Sequence, residues 1–207
     1  MGMHVHVDLP ERVLPAKLIF DRQRTMTDDE YYEFCMANPN TRFERTAGGE
    51  IIIVPPAGWE SSYQSGEAFS QLAVWAKQDR RGKASDSSSE FILPTSAALS
   101  PDAAWVSNRR SMKLSRDERR KFPPICPEFI IEVMSPSDRL KNAKKKMEQW
   151  MSGGAELGWL IQPDRETVYI YRAGKPEPEK KTGITRLAGE GPVAGLELDL
   201  RLIWAGL

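Results

Sequence analysis

A glutamate inside an otherwise apolar run is the residue of this chain that most directly suggests metal chemistry. Glu132 follows Phe129-Ile130-Ile131 and precedes Val133-Met134, a pattern typical of a buried strand. A buried carboxylate without a partner is costly, so it either takes up a proton or acquires a cation. A divalent metal ion is one such cation, and Asp102 could supply a second carboxylate to its site. A structural ion pair or a strand-end glutamate facing solvent is the alternative interpretation of Glu132.

Asp102 and Glu132 together would suit the hydrolysis of a phosphodiester bond. That reaction needs neutralised charge at the phosphate, an activated water and help for the leaving oxygen, all of which Mg²⁺ ions held by carboxylates can provide. Pro101 has a fixed φ and stiffens the approach to Asp102. Thirty positions (132 minus 102) separate the two carboxylates, which leaves room for a loop and a return strand. Two neighbouring strands could therefore direct both carboxylates at one ion.

A lysine beside the metal could orient the attacking water or stabilise developing negative charge. Several lysines lie in a helix predicted from about residue 139 to residue 151, whose apolar stripe includes Met147. At about 100° per residue, Lys144 and Lys146 flank opposite edges of that stripe. The spacing leaves both lysines open as candidates, and a solvated basic helix face is the alternative interpretation.

The first predicted elements are a helix and a hairpin. Thr27 followed three positions later by Glu30 matches a capping box, so a helix should begin there and end before Pro39. Apolar runs within residues 42–54, with a glycine turn at 47–49, predict a β-hairpin.

A longer helix is then predicted to carry Glu67. Ser61 or Ser62 could cap this helix, and its apolar positions keep helical spacing as far as Gly82. The polar stretch 83–89 that follows is predicted to be a loop.

The remaining pattern alternates strands and helices. Strands are predicted around residues 90–93, 102–106, 129–134, 158–161, 167–171 and 196–200. Strands mixed with helices in this way predict an α/β fold with a mixed sheet.

Composition predicts one domain over residues 27–207, preceded by an N-terminal arm over residues 1–26. His4 and His6 in this arm alternate like residues on one strand face and could bind a metal, although the sequence offers no third ligand. Lys plus Arg equals Asp plus Glu at 29 each, so any contact with nucleic acid must come from a local patch. The basic segment 108–121 is either such a patch or a solvated surface.

Two cysteines and the absence of long apolar runs bear on location. Cys35 and Cys126 lie far apart and outside any CxxC spacing, which favours buried thiols in a reducing compartment over a disulfide framework. No apolar run approaches the length of a membrane span, and the N-terminus lacks the pattern of a secretory signal. We therefore expect a cytoplasmic protein without membrane contact.

Four stretches of the chain resemble the Uma2 family of restriction endonucleases, within the PD-(D/E)XK nuclease superfamily. They are Ser-Pro-Asp-Ala-Ala-Trp-Val at 100–106, Pro-Glu-Phe-Ile-Ile-Glu-Val-Met-Ser-Pro-Ser-Asp at 127–138, the pair Lys146 and Trp150, and Gly-Trp-Leu-Ile-Gln-Pro at 158–163. The likeness extends in order over residues 27 to 172. It implies a restriction-endonuclease-like α/β fold: a mixed sheet flanked by helices, with an N-terminal helix and β-hairpin.

The resemblance also implies roles for individual residues. Asp102 and Glu132 correspond to metal-binding and catalytic carboxylates of the family. The family's lysine lies on the helix that follows the glutamate strand, four positions before an aromatic residue. This spacing selects Lys146 over Lys144. The superfamily often adds a carboxylate from an early helix, and Glu67 is the candidate by position. The implied cofactor is Mg²⁺, for which Mn²⁺ can substitute.

The implied activity is that of a Mg²⁺-dependent endodeoxyribonuclease, a hydrolase acting on the phosphodiester bonds of nucleic acid, with DNA as the expected substrate. Cleavage of both strands of a duplex favours a two-fold dimer, so a homodimer is expected. The alternative is a non-catalytic nucleic-acid-binding or protein-interaction module that keeps the fold. Affinity for a divalent metal discriminates between the two, because only the enzyme requires it.

Overall fold

The computed structural model describes residues 25–206 and, by its backbone alone, the short strand at 17–18. His4 and His6 lie outside the described residues, together with most of the N-terminal arm.

The described chain alternates between strands and helices. The helices are α1 Asp28–Ala37, α2 Trp59–Asp79, α3 Asn108–Ser111, α4 Leu140–Gly153 and α5 Arg201–Trp204. The strands are β1 Lys17–Leu18, β2 Arg42–Arg45, β3 Ile51–Val54, β4 Gly82–Asp86, β5 Phe91–Ile92, β6 Ala98–Leu99, β7 Ala103–Ser107, β8 Phe129–Val133, β9 Leu157–Gln162, β10 Thr167–Arg172, β11 Glu179–Thr182, β12 Arg186–Ala188 and β13 Glu197–Asp199. Among these residues no helix is both long and apolar enough to cross a membrane.

A mixed six-stranded sheet forms the centre of the fold, in the order β11-β10-β9-β8-β7-β4. β8 and β9 run parallel and are joined through α4, whereas the other neighbouring strands run antiparallel. Side chains alternate between the two faces of a strand. Phe129 and Ile131 therefore pack with α2 on one face, while Ile130 packs with Met147 and Trp150 of α4 on the other. The expected α/β fold with a mixed sheet flanked by helices is confirmed.

An antiparallel sheet, in the order β1-β3-β2-β6-β5, forms the N-terminal part of the described chain. Tyr31 and Phe34 of α1 pack against Phe43 and Ile51 of this sheet. After β6 the chain needs only residues 100–102 to reach β7 of the central sheet. Asp102 therefore lies at the junction of the two sheets.

The predicted helix start at Thr27 and the hairpin over 42–54 are both confirmed. The Thr27 side chain accepts a hydrogen bond from the Glu30 backbone, and the Glu30 side chain accepts one from the Thr27 backbone. β2 and β3 pair in antiparallel register, from Arg42 with Val54 to Arg45 with Ile51.

The prediction of a loop over 83–89 was wrong, because β4 occupies 82–86 at the edge of the central sheet. An exposed edge strand needs no apolar alternation, which explains why its sequence resembles a loop. Gly82 is also not the end of α2, whose last residue is Asp79 and whose C-cap, Arg80, has a left-handed conformation. A Cβ at Gly82 would lie 2.4 Å from the Val106 carbonyl oxygen, so the glycine allows β4 to approach β7 closely.

Candidate active site

Asp102 and Glu132 come together where β7 and β8 meet the N-terminal sheet. The antiparallel register pairs Ala103 with Ile131, and its continuation by one residue sets Asp102 opposite Glu132. Both side chains share the sheet face of Ile130, which α4 covers. The Asp102 carboxylate accepts a hydrogen bond of 2.7 Å from the backbone N–H of Val133. This bond ties the segment before β7 to the end of β8.

Glu132 is a buried carboxylate with two polar partners. Its residue is 9% exposed. Its Oε1 accepts a hydrogen bond of 2.7 Å from Nε1 of Trp150 and lies 3.1 Å from Nζ of Lys146. Burial raises the pKa of Glu132 to about 8; the Lys146 charge opposes this shift and the charges of Asp102 and Glu44 add to it. Burial therefore disfavours the ionised form of Glu132 more than its contacts with Lys146 and Trp150 favour it.

Lys146 reaches the carboxylates from α4. Its Nζ donates a hydrogen bond of 2.7 Å to the Ser100 carbonyl and lies 2.8 Å from Oε1 of Glu44. Burial alone would lower the pKa of Lys146, but Glu132 and Glu44 raise it above its usual value, so the side chain is an ammonium ion. Lys144 faces elsewhere, with its Nζ 4.7 Å from the ring centroid of Tyr169. Of the two lysines that the spacing left open, the structure places Lys146 beside Glu132.

The environment of Asp102 resembles that of Glu132. Burial raises the pKa of Asp102, while the Val133 N–H and the charges of Lys146 and Arg42 act in the opposite direction. Arg42 is exposed at the rim of the site, where its guanidinium also donates to the Ser87 carbonyl. The site thus combines a half-buried Asp102 and a buried Glu132 with the Lys146 ammonium, and the exposed Arg42 lies at its rim.

Glu67 is not brought together with Asp102 and Glu132. It lies on α2, whose Ala68 and Leu72 pack on the opposite face of the sheet from α4. Across residues 25–206, no three His, Cys, Asp or Glu side chains form a group that could hold a metal. The role of Glu67 as a further ligand stays a prediction.

Glu44 is the site residue that the sequence reasoning missed. It lies on β2 and is 8% exposed. Besides its ion pair with Lys146, it accepts a hydrogen bond of 3.2 Å from the backbone N–H of Ser100. A carboxylate inside a predicted strand was a visible feature here, as at Glu132. The spacing, however, could not show that the hairpin folds back onto a site 58 positions later (102 minus 44).

The donor chemistry of the site fits a hard divalent cation. Asp102 and Glu132 offer only carboxylate oxygens, the ligands that Mg²⁺ and Mn²⁺ prefer. Burial raises the pKa of each acid, so a bound cation would favour the ionised form that burial disfavours. These two residues are therefore the ones that would hold the ion.

Comparison with known proteins finds a structural neighbour and a matching family. The structure is similar to the crystal structure of a putative nuclease belonging to DUF820 from Anabaena variabilis, with a TM-score of 0.69 and 22% sequence identity, over 87% of this chain and 98% of that chain. A sequence profile of the Uma2 family, described as "Putative restriction endonuclease", matches residues 28–201. The chain belongs to the Uma2 family, as its motifs suggested. No curated protein matches it.

Proposed function

We propose that the protein is a metal-dependent endonuclease that hydrolyses phosphodiester bonds of nucleic acid, with DNA as the expected substrate. The observation that carries the proposal is the cross-strand pair of Asp102 and Glu132 with the Lys146 ammonium 3.1 Å from Glu132. Membership of the Uma2 family, whose description is "Putative restriction endonuclease", supports the same class of reaction.

Each side chain has a defined task in this proposal. Asp102 and Glu132 hold the ion, and the Val133 N–H keeps the Asp102 carboxylate in place. Bound Mg²⁺ or Mn²⁺ supplies charge neutralisation at the phosphate and a water of lowered pKa. The Lys146 ammonium can stabilise the negative charge that develops on the phosphate. Its three N–H groups already contact Ser100, Glu44 and Glu132, so donating to the attacking water would replace one of these contacts. Trp150 fixes the Glu132 carboxylate by donating to its Oε1.

The exposed guanidinium of Arg42 is suited to contact a phosphate of the substrate beside the site. The basic segment 108–121 is less suited to this role. It begins at the far end of β7. At a rise of about 3.3 Å per strand residue, that end lies about 17 Å from Asp102. Within it, Arg110 is already paired with Glu128 and Glu156.

Nicking and linearisation of supercoiled plasmid DNA in Mg²⁺, Mn²⁺ or EDTA tests the proposal. Asp102→Asn and Glu132→Gln should abolish metal-dependent cleavage. The matched control Glu148→Gln changes an exposed glutamate of α4 and should cleave like wild type. Binding of DNA without cleavage and without affinity for Mn²⁺ would refute the proposal and favour the non-catalytic module. Sedimentation analysis of the protein, alone and bound to a DNA duplex, tests the expected homodimer.

A further inference from the structure

Glu44 and Lys146 enclose the backbone of Ser100 from two sides. Oε1 of Glu44 accepts from the Ser100 N–H at 3.2 Å, and Nζ of Lys146 donates to the Ser100 carbonyl at 2.7 Å. The ion pair of 2.8 Å between the two side chains closes the ring of contacts. We refer to Glu44, Ser100 and Lys146 as the clamp.

The clamp joins three separate elements of the fold. Glu44 comes from β2 of the N-terminal sheet, Lys146 comes from α4, and Ser100 lies in the short connection between the sheets. Only Pro101, with its fixed φ, stands between Ser100 and Asp102. Holding the Ser100 backbone therefore also sets the position of Asp102.

Charge balance suggests why the site holds a third carboxylate. Glu44, Asp102 and Glu132 with Lys146 carry a net charge of −2 when all are ionised, which matches one divalent cation. A cation held by Asp102 and Glu132 would repel the Lys146 ammonium nearby. Glu44 would then be the carboxylate that still retains the lysine.

We propose that Glu44 is a positioning residue, which keeps the Lys146 ammonium beside the reacting phosphate and holds the Ser100–Asp102 segment in register. This inference rests on the proposed nuclease function. A direct role as a metal ligand is disfavoured, because within residues 25–206 no three acidic side chains form a group that could share an ion. Glu44 instead contacts Lys146 and Ser100.

A double-mutant cycle with Glu44→Gln and Lys146→Met tests the inference. With plasmid DNA and Mn²⁺, Glu44→Gln should lower kcat on the order of 10²-fold, the loss expected from a misplaced catalytic group. The KM for DNA and the Mn²⁺ concentration at half-maximal rate should stay within about twofold of wild type. In the Lys146→Met background, Glu44→Gln should cause little further loss, because residues that act as a unit are not additive. Glu33→Gln changes an exposed glutamate of α1 and is the matched control.

A second measurement does not depend on cleavage. Acylation of the folded protein by an amine reagent, quantified by mass spectrometry, should modify Lys146 more slowly than the exposed Lys145. Glu44→Gln should selectively increase modification of Lys146. If a thermal melt shows that Glu44→Gln does not fold, Glu44→Asp is the variant to test. It keeps the charge on a shorter side chain and should show the same changes in smaller degree.

The outcomes separate this inference from the proposed function. Two outcomes with an active wild type would overturn the positioning role alone. One is an unchanged kcat in Glu44→Gln. The other is a double mutant whose loss of activity is the product of the two single losses. A rise of tenfold or more in the Mn²⁺ requirement would overturn it in favour of a metal ligand. A wild type that cleaves no nucleic acid, while Glu44 still protects Lys146 from acylation, would refute the nuclease function and with it the catalytic purpose of the clamp.

Discussion

Replacing Glu132 by glutamine should separate its proposed role in metal binding from its effect on folding. Its pKa rises from 4.5 to about 8 because burial disfavours the ionised form. One pKa unit corresponds to about 1.4 kcal/mol, so at pH 7 the ionisable group costs wild type about 3 kcal/mol of stability in the absence of metal. The sign follows from the raised pKa: the cost is absent below about pH 4.5 and grows until pH 8. Glutamine stays neutral and can still accept the hydrogen bond from Trp150.

Urea unfolding of both proteins at pH 5, 7 and 8, with and without Mn²⁺, measures these effects. The variant should exceed the metal-free stability of wild type by about 1 kcal/mol at pH 5 and by about 3 kcal/mol at pH 7. Mn²⁺ at a hundredfold excess over its Kd should stabilise wild type by about 2.7 kcal/mol and leave the variant unchanged. Plasmid cleavage by the variant should be lost.

The contrary result is equally specific. If Glu132 serves only as a structural partner of the half-buried Lys146, its replacement leaves that charge with fewer contacts, and the variant should be less stable than wild type at pH 7, by at most about 3–5 kcal/mol. A variant destabilised in this way, beside a wild type that does not respond to metal, would refute the metal-site assignment.

Three further predictions concern the lysines, a second buried acid and the rim of the site. Lys146→Ala should lower plasmid cleavage on the order of 10²-fold or more, while Lys144→Ala should cleave at close to the wild-type rate. An equal loss in the two variants would contradict the choice of Lys146 over Lys144. Burial raises the pKa of Glu90 to about 8, so wild type should lose stability in urea unfolding between pH 5 and pH 8. Glu90→Gln should reduce this loss of stability with rising pH, and an unchanged pH dependence would contradict the raised pKa of Glu90. Arg42→Gln should reduce the slope of log affinity for DNA against log salt by about 1, measured in EDTA by fluorescence anisotropy, and an unchanged slope would exclude a phosphate contact.

The features that sequence reasoning anticipated depend on local spacing. The capping box at Thr27 and Glu30 lies within one turn of helix, and the position of Lys146 at the edge of the apolar stripe follows from helical period alone. Glu132 was recognisable because its strand is otherwise apolar. In each case the informative residues are within a few positions of one another.

The features that sequence reasoning missed depend on how distant segments pack. Glu44 joins the site only because the N-terminal hairpin folds against α4 and the connection at Ser100. The strand at 82–86 pairs with β7 through its backbone, so its polar side chains carried no strand pattern. Glu67 was chosen from its place on an early helix, without knowledge of which sheet face that helix covers.

The long sequence separation within the clamp has a consequence for folding. Glu44 and Lys146 are 102 positions apart (146 minus 44), and contacts of such separation carry a large entropic cost of loop closure. A partly synthesised chain that ends before α4 contains Asp102 and Glu132, the proposed metal ligands, but not Lys146. If Lys146 assists cleavage as proposed, a chain that has not yet formed this contact would be inactive, and activity would appear only with the completed tertiary structure.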